Sequence, residues 1–289
     1  MLSREQFQSL AENGLILDGA TGTNLQKVGM PKGCCTEQWI LENPQPLLEL
    51  QGQYAACGSQ VLYAPTFQAQ PIALERIGMA QQTESVNARL VALTRQAAPG
   101  CLVAGDITTL AAFLESWDMD NFDLMVENYR RQIRGLIDGG ADLLAAETLL
   151  YPQEAEAILT AAELEGAGAC LYTFTMQSDG SLFSGMDAGS VLHELELSGA
   201  AAVGFNCVAA DMMTPYLVSK LRRYVRCPIV CKPNAGEPVV GDSGIPEYSL
   251  GAEGFAEVMK QCYDNGARLL GGCCGTTPRH ILKAKEAIF

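Results

Sequence analysis

The stretch GLILDGATGT (residues 14–23) is a short apolar run that ends in a polar turn rich in glycine. An apolar run of this length, bounded by turn residues, predicts a buried strand. A doubly wound open sheet would usually carry the spacing G-x-G-x-x-G after its first strand, and DGATGT lacks that spacing. The turn therefore favours a closed barrel over an open nucleotide-binding sheet.

Seven further apolar runs follow along the chain, separated by segments with helical periodicity. The eight predicted strands cover 14–19, 60–67, 101–106, 142–148, 169–176, 201–207, 228–234 and 268–274. Helical periodicity is present at 44–57, 120–139, 152–165, 211–225 and 252–265. Apolar strands that alternate with helices predict a parallel sheet covered on both faces. The 289 residues suit one α/β domain, a single (β/α)8 TIM barrel over residues 1–289.

The formal net charge of −14, from 33 acidic and 19 basic residues, narrows the choice of partners. A surface of this charge repels phosphate backbones, so no nucleic-acid partner is expected. The N-terminal stretch MLSREQFQSLAENG lacks the apolar region of a secretory signal and predicts a short amphipathic helix. No run approaches the ~18 apolar residues of a membrane span. The composition predicts a cytoplasmic protein with no membrane partner.

Polar and thiol residues stand where the predicted strands end. In a (β/α)8 barrel the carboxyl ends of the strands meet at one face, and that face carries the chemistry. We therefore expect a functional site to be built there from Asp18, Thr66, Asp106, Glu147, Asp187 in the loop after strand five, Asn206, Cys207, Asn234, Cys273 and Cys274.

The cysteines at the ends of strands six and eight suggest a metal site. The chain has eleven cysteines, an odd number in a long chain, which indicates reduced thiols that mostly pack as small apolar side chains. Three thiolates, from Cys207, Cys273 and Cys274, can bind Zn²⁺ and leave a fourth tetrahedral position open. The glycines in GGCCG allow the backbone to bend so that two adjacent side chains point at one atom.

Other interpretations of the same cysteines stay open at this point. The three side chains could simply pack, or the adjacent pair could form a vicinal disulfide. A thiol nucleophile would need a histidine base, and neither His193 nor His280 lies at a predicted strand end. An iron–sulfur cluster would normally require a fourth cysteine nearby.

Motifs along nearly the whole chain resemble those of the homocysteine S-methyltransferase family. This is the homocysteine-binding barrel of cobalamin-dependent methionine synthase and of betaine–homocysteine methyltransferase. The matching stretches are LDGATGT (17–23), TEQWILENP (36–44), PTFQA (65–69), GDI (105–107), AAET (145–148), DGSLFSGMD (179–187), GFNC (204–207), KPNAGEP (232–238) and GGCCGTTPRHI (271–281).

The resemblance implies a zinc-dependent methyl transfer to the thiol of homocysteine that gives methionine. Cys207, Cys273 and Cys274 are similar to the three ligands of one Zn²⁺ per chain, and the open position accepts the substrate thiol. A divalent cation stabilises a thiolate at neutral pH, which agrees with that role.

The resemblance also implies positions for the rest of the substrate. Asp18 and Glu147 correspond to carboxylates that bind the amino group of homocysteine. Thr66 and the backbone near Gly19 match the region that holds its carboxylate. Asn234 matches a residue that can occupy the open zinc position before the substrate arrives.

The residue after Glu147 separates two branches of the family. Betaine-type members carry a tyrosine there, whereas this chain has Thr148, as the methionine-synthase type does, and KPNAGEP also favours that type. The resemblance thus implies methylcobalamin on a separate corrinoid protein as the donor, because no cobalamin-binding or methyltetrahydrofolate-binding domain fits in 289 residues. The alternative is a stand-alone enzyme that uses S-methylmethionine or S-adenosylmethionine.

Two departures from the family pattern lie at predicted strand ends. The chain has APTF (64–67) where relatives usually have TNTF, and GDITT (105–109) where they have GDIGP. Because of these changes, two further hypotheses stay open. One is a zinc thiol methyltransferase with another small thiol acceptor, and the other is a zinc-holding or homocysteine-sensing barrel without turnover.

Overall fold

The barrel strands of the computed structural model follow the apolar runs of the sequence. The structure describes residues 1–114, 119–240 and 246–289. Its strands are β1 (Leu15–Ile16), β2 (Val61–Tyr63), β3 (Leu102–Thr108), β4 (Leu143–Leu149), β5 (Cys170–Phe174), β6 (Ala202–Ala209), β7 (Ile229–Asn234), β8 (Pro238–Val240), β9 (Pro246–Tyr248) and β10 (Ala267–Leu270). All eight predicted strands are present, and β8 and β9 form a separate antiparallel hairpin.

Helices fill the intervals between the strands. They are α1 (Arg4–Ala11), α2 (Gly22–Lys27), α3 (Thr36–Glu42), α4 (Pro44–Ala56), α5 (Pro71–Leu74), α6 (Thr83–Ala97), α7 (Met119–Asp138), α8 (Pro152–Leu164), α9 (Ala188–Leu197), α10 (Thr214–Leu221), α11 (Ala252–Asp264) and α12 (Pro278–Ile288), with 3₁₀ turns at Glu75–Ile77 and Ala80–Gln82. Pro152 and Pro278 stand in the first turns of α8 and α12, where a backbone N–H has no hydrogen-bond partner within the helix and its absence costs nothing.

The eight strands form a nearly closed parallel barrel. The hydrogen-bonded order is β1-β10-β7-β6-β5-β4-β3-β2. A single parallel bridge between Leu17 and Val61 links the two ends of this order, and the Gln60 N–H donates to the Ile16 carbonyl at 2.7 Å. The structure therefore confirms the predicted (β/α)8 TIM barrel.

Two apolar layers hold the barrel together. Alternate strand residues such as Ala104, Ala145 and Val230 form an inner cluster, whereas Val103 and Leu144 pack outward beneath the helices. This alternation follows from the period of two along a strand. Because both faces are covered by apolar side chains, a polar residue in the inward series must find its partners inside the barrel.

Helix α1 closes the amino-terminal end of the barrel. Phe7 and Ala11 join the inner cluster, and Leu2 packs against it. The Leu2 N–H donates to Asp142 O at 2.7 Å, and Leu2 O accepts from Ala169 N at 2.8 Å, which fixes the chain to the starts of β4 and β5. The opposite end of the barrel remains open for a site. Across the described ranges, no helix combines the length and the apolar character needed to cross a membrane.

Candidate metal and substrate site

A cavity of about 350 Å³ lies at the carboxyl ends of the barrel strands. This is the end at which (β/α)8 enzymes carry their catalytic residues. Helix α3 contributes Glu37 and the loop after β2 contributes Phe67 to its wall. The wall also contains Asp18, Gly19, Asp106, Glu147, Thr148, Cys207, Lys232, Cys273 and Cys274.

The three predicted zinc cysteines come together in this wall. The sulfurs of Cys207, Cys273 and Cys274 all lie within 4.8 Å of one another. Zinc–sulfur bonds of about 2.3 Å in a tetrahedron place sulfurs about 3.8 Å apart, so the cluster has the size of a three-thiolate zinc site. All eleven cysteines lie in the described ranges and carry free thiols. The donor set and its spacing therefore fit a zinc ion.

Two bulges shape the backbone at the cluster. The register of β4 shifts between Ala146 and Leu149, and that of β6 shifts between Asn206 and Ala209. Within these bulges Thr148 has φ +59° and Cys207 has φ +58°. Left-handed backbone is unfavourable for residues with a Cβ and is retained mainly where the surroundings impose it. Bulges next to active sites turn side chains toward the site.

Asn206 provides much of that constraint. Its side chain is fully buried, and its Oδ1 accepts from the Thr148 N–H at 2.7 Å and from the Thr173 hydroxyl at 2.9 Å. Its Nδ2 donates to Thr148 Oγ1 at 2.7 Å and lies 4.0 Å from Cys273 Sγ. One amide thus links the bulge of β4, the residue before Cys207 and the cysteine pair.

Backbone contacts position the GGCCG loop. The Cys273 N–H donates to Pro233 O at 2.7 Å, and Cys274 O accepts from Ala235 N at 2.9 Å. An added Cβ at Gly272 would lie 2.4 Å from Thr276 Oγ1. Gly275 alone in this loop has a positive φ, +81°, so the two preceding glycines provide space rather than a left-handed turn.

The thiols of the cluster influence one another strongly. Hydrogen bonds from Cys207 and Cys273 lower the pKa of the Cys274 thiol to about 3. Hydrogen bonds to Cys273 and Cys274 raise the pKa of Cys207 well above its usual value. The Tyr248 side chain, from the β8–β9 hairpin, also hydrogen-bonds Cys274 and further lowers its pKa. The cluster therefore gives up its first proton readily, which favours a cationic ligand.

Three charged side chains continue the inward-facing series of the strands. Asp106, Glu147 and Lys232 each stand two residues after an apolar member of the inner cluster. The period of two that buries the apolar residues thus carries these charges into the cavity floor.

Lys232 pairs with both carboxylates that were expected to bind an amino group. Its Nζ donates to Glu147 Oε2 at 3.0 Å and lies 3.6 Å from Asp18 Oδ1. The ammonium also lies 3.3 Å from the ring centroid of Tyr63, whose backbone N–H donates to Asp18 Oδ2 at 2.8 Å. Lys232 is 3% exposed. The structure therefore places an internal ammonium between Asp18 and Glu147.

Burial controls the protonation of this network. Desolvation raises the pKa of Asp18 to about 6 and also raises the pKa of Glu147. Desolvation and the charge of Glu147 raise the pKa of Asp106 well above its usual value. Burial alone would lower the pKa of Lys232, but Glu147 and the other neighbouring acids raise it well above its usual value. The lysine is thus charged near neutral pH.

Thr66 and Gly19 help to shape the cavity wall through packing and hydrogen bonds. Thr66 is fully buried, and its hydroxyl donates to Asp106 O at 2.8 Å and accepts from Asp106 N at 3.0 Å. An added Cβ at Gly19 would lie 2.7 Å from both Thr276 Oγ1 and the Tyr54 hydroxyl. Thr66 therefore connects the ends of β2 and β3, and Gly19 is required for close packing. Their expected roles in binding substrate stay predictions.

Two other strand-end residues differ in their surroundings. Asn234 is 8% exposed, and its Oδ1 has no hydrogen-bond partner within the described part of the chain. That oxygen keeps Asn234 a candidate for the open metal position. Asp187 instead caps α9 by accepting from Ser190 N and forms an ion pair of 2.8 Å with Lys220.

Sequence reasoning did not select two residues that the geometry makes prominent, Lys232 and Tyr248. Lys232 was detectable as a single charge inside the apolar strand PIVCKPN. Asn206 was expected at a strand end, but its hydrogen bonds to Thr148 are known only from the structure. Tyr248 reaches Cys274 from a hairpin outside the barrel. No local sequence signal indicates that contact. His280, which lies at no predicted strand end, completes the capping box of α12 with Thr277.

Comparison with known proteins gives a consistent result. A family profile described as Homocysteine S-methyltransferase matches residues 15–288. The "Homocysteine S-methyltransferase" of Escherichia coli (strain K12) is 29% identical over 295 residues, which is 94% of this chain and 95% of that protein. The "Methionine synthase" of Mycobacterium leprae (strain TN) is 27% identical over 306 residues, 98% of this chain. The chain spans only 25% of that relative's length.

Solved structures are similar along the whole chain. The metallated form of the homocysteine methyltransferase MmuM from Escherichia coli superposes with a TM-score of 0.82 at 26% identity, over 98% of this chain and 99% of that one. Its oxidised form gives a TM-score of 0.79 at 28% identity, over 95% and 96% of the two chains.

Proposed function

Because the chain belongs to the homocysteine S-methyltransferase family, we propose that it transfers a methyl group to the thiol of homocysteine and forms methionine. Cys207, Cys273 and Cys274 hold one Zn²⁺ per chain in this proposal. The observation that carries it is the three-thiol cluster, with sulfurs within 4.8 Å of one another, in the wall of a cavity rich in carboxylates. A structure of a relative described as a metallated form supports a metal at such a site.

Each part of the site has a task in this reaction. Zinc, when bound, keeps a thiol deprotonated at neutral pH and so supplies a nucleophilic sulfur. The three cysteines fix the place where that sulfur must lie. The carboxylates of the cavity wall bind the amino group of the substrate, and the crowded backbone near Gly19 borders its carboxylate. The apolar inner cluster beneath excludes water from the reacting atoms.

Two kinds of methyl donor are compatible with this acceptor site. Thr148 and the KPNAGEP stretch support methylcobalamin on a separate corrinoid protein. A buried carboxylate in the cavity wall supports the alternative, a cationic sulfonium such as S-methylmethionine or S-adenosylmethionine. That carboxylate is Glu37, 3% exposed, whose Oε1 accepts from the Gln68 N–H at 2.7 Å. A negative group beside the donor favours a positively charged ligand.

Two broader hypotheses remain testable in the same assays. The stretches APTF and GDITT, which depart from the family pattern, include Phe67 and Asp106 of the cavity wall. One hypothesis is therefore that the acceptor is another small thiol. A zinc-holding or homocysteine-sensing barrel would bind the thiol and turn over no donor. The cytoplasmic location expected from the sequence stays a prediction.

Zinc content and activity of a cysteine variant test the proposal. Wild-type protein should bind close to one zinc per chain, and Cys273→Ala should lose both the zinc and the methyl transfer. Cys57→Ala removes a half-buried thiol outside the cluster and should keep both. Full activity of metal-free wild-type protein would contradict the zinc mechanism.

A donor panel identifies the reaction. Methylcobalamin, S-methylmethionine, S-adenosylmethionine and betaine are each supplied with homocysteine, and methionine is measured. We expect turnover with methylcobalamin or with one of the sulfonium compounds. Homocysteine binding without turnover of any donor would instead support a sensor. Methylation of a different thiol in preference to homocysteine would support the other acceptor hypothesis.

A further inference from the structure

The floor of the cavity contains one carboxylate, Asp106, beyond the two that the internal lysine contacts. Lys232 donates to Glu147 at 3.0 Å and lies 3.6 Å from Asp18, so its ammonium is shared by those two groups. Asp18 receives a second contact from the Tyr63 N–H at 2.8 Å. The position between the two carboxylates expected to bind a substrate ammonium is therefore already filled by an ammonium of the protein.

Asp106 is the carboxylate without a partner. It lies in the cavity wall and is 6% exposed, and its Oδ1 makes no hydrogen bond to any residue that the structure describes. The Thr66 hydroxyl hydrogen-bonds both the backbone carbonyl and the backbone N–H of Asp106, and Gln132 Nε2 also donates to that carbonyl at 3.2 Å. These contacts fix the backbone of Asp106 at the cavity wall, and a buried carboxylate left unpaired there is unfavourable.

The register of the sheet brings Asp106 beside Glu147. Asp106 on β3 pairs with Ala145 on β4, and Glu147 is the next inward-facing residue of β4. Three carboxylates share one lysine here, so ionisation of all three would leave two negative charges without a counter-charge. A second ammonium brought by a ligand would therefore be favoured between Asp106 and Glu147.

We propose that Asp106, together with Glu147, binds the α-ammonium group of the acceptor amino acid, while Lys232 holds Asp18 as part of the cavity floor. This inference rests on the proposed function, since it takes the acceptor to be an amino acid with a thiol. It makes Asp106 the residue that selects an amino acid over a simple thiol acid. Asp18, by contrast, becomes a residue that positions Lys232.

Paired ligands isolate the contact to the ammonium group. Binding of homocysteine and of 4-mercaptobutanoate, which lacks only the amino group, is measured by calorimetry on zinc-loaded protein. Asp106→Asn keeps the shape of the side chain and removes its charge. We expect homocysteine to bind about 10- to 100-fold more weakly to this variant, as for loss of a charged hydrogen bond. Binding of the analogue should change by less than about twofold, because it makes no such contact.

Two further variants complete the test. Asp264→Asn alters an exposed acid that pairs with Lys260 at the end of α11 and should leave the affinities for both ligands unchanged. Zinc content is measured for every variant, so that a damaged metal site is recognised. In Asp18→Asn, we expect the preference for homocysteine over the analogue to persist.

Each alternative result has a distinct meaning. Loss of the preference for homocysteine in Asp18→Asn but not in Asp106→Asn would overturn the inference. Asp18 would then be the residue that binds the ammonium group, and the proposed function would be unaffected. Equal binding of both ligands to wild-type protein would also overturn it, because no ammonium is then recognised. If zinc-loaded wild-type protein bound neither thiol, the proposed function itself would fail.

Discussion

Replacement of Asn206 by alanine should weaken both the fold and the metal site. The side chain makes three short hydrogen bonds, two to Thr148 and one to Thr173, at 2.7, 2.7 and 2.9 Å. The bond to Thr173 is buried, and the two bonds to Thr148 are partly buried beside the cavity. The variant leaves these partners without the amide that satisfies them.

The size of the effect follows from this count. A buried hydrogen bond contributes about 1 kcal/mol net, so three lost bonds lower the free energy of unfolding by about 3 kcal/mol. The left-handed backbone of Thr148 and Cys207 adds to the cost, because it is retained only while neighbouring groups impose it. Loss of a group that orients metal ligands lowers metal affinity about 10-fold or more.

Urea unfolding and competition with a zinc chelator measure the two effects separately. Asn265→Ala is the matched control, since the Asn265 side chain makes one exposed hydrogen bond at the end of α11. The control should change the free energy of unfolding by less than about 1 kcal/mol and leave zinc affinity unchanged. Asn206→Asp keeps the two acceptor bonds and should recover part of the stability. An Asn206→Ala protein as stable as wild type, with unchanged zinc affinity, would refute the reasoning.

Three further predictions concern the cavity floor and the cysteine loop. Lys232→Met should lower the free energy of unfolding by about 3–5 kcal/mol, because it leaves buried carboxylates unpaired. Lys260→Met, which breaks an exposed pair, should cost less than about 1 kcal/mol in the same urea titration. The pKa of Asp18 is raised from 3.8 to about 6. The protonated carboxyl therefore stabilises the folded state below pH 4, and this contribution to the free energy of unfolding is lost as the pH rises through 6. Urea titrations of metal-free wild type and Asp18→Asn at pH 4 to 7 should therefore show stability falling more steeply in wild type, and parallel curves would contradict the raised pKa. Gly275 has φ +81°, and an added Cβ there would lie 2.3 Å from the ring of Tyr248. Gly275→Ala should therefore lower the free energy of unfolding by about 1–3 kcal/mol and weaken zinc binding. Gly100→Ala, which meets nothing within 4 Å, is its control in thermal melts and chelator competition, and equal behaviour of the two variants would count against the crowding argument.

The order of strands and helices could be predicted from the sequence because it depends on local patterns. Apolar runs mark the eight strands, and Pro152 and Pro278 mark helix starts. The ends of the strands could then be aligned at one face, since parallel strands in a barrel share their direction. The same argument predicts Cys207 beside the cysteine pair, and in the structure the three sulfurs lie within 4.8 Å of one another.

The partners of the charged residues were decided only by the tertiary structure. The sequence offered Asp18, Glu147 and Asp106 as similar acids at strand ends. Nothing local showed that Lys232 lies between the first two, or that Asp106 Oδ1 has no hydrogen-bond partner among the described residues. Such pairings depend on strand register and on which side chains share the barrel interior, and these are set by contacts between residues far apart in sequence. The sequence by itself therefore determined the barrel and its three-cysteine cluster. The packed barrel decided which carboxylates the internal lysine contacts, because only the folded chain brings these buried groups within reach of one another.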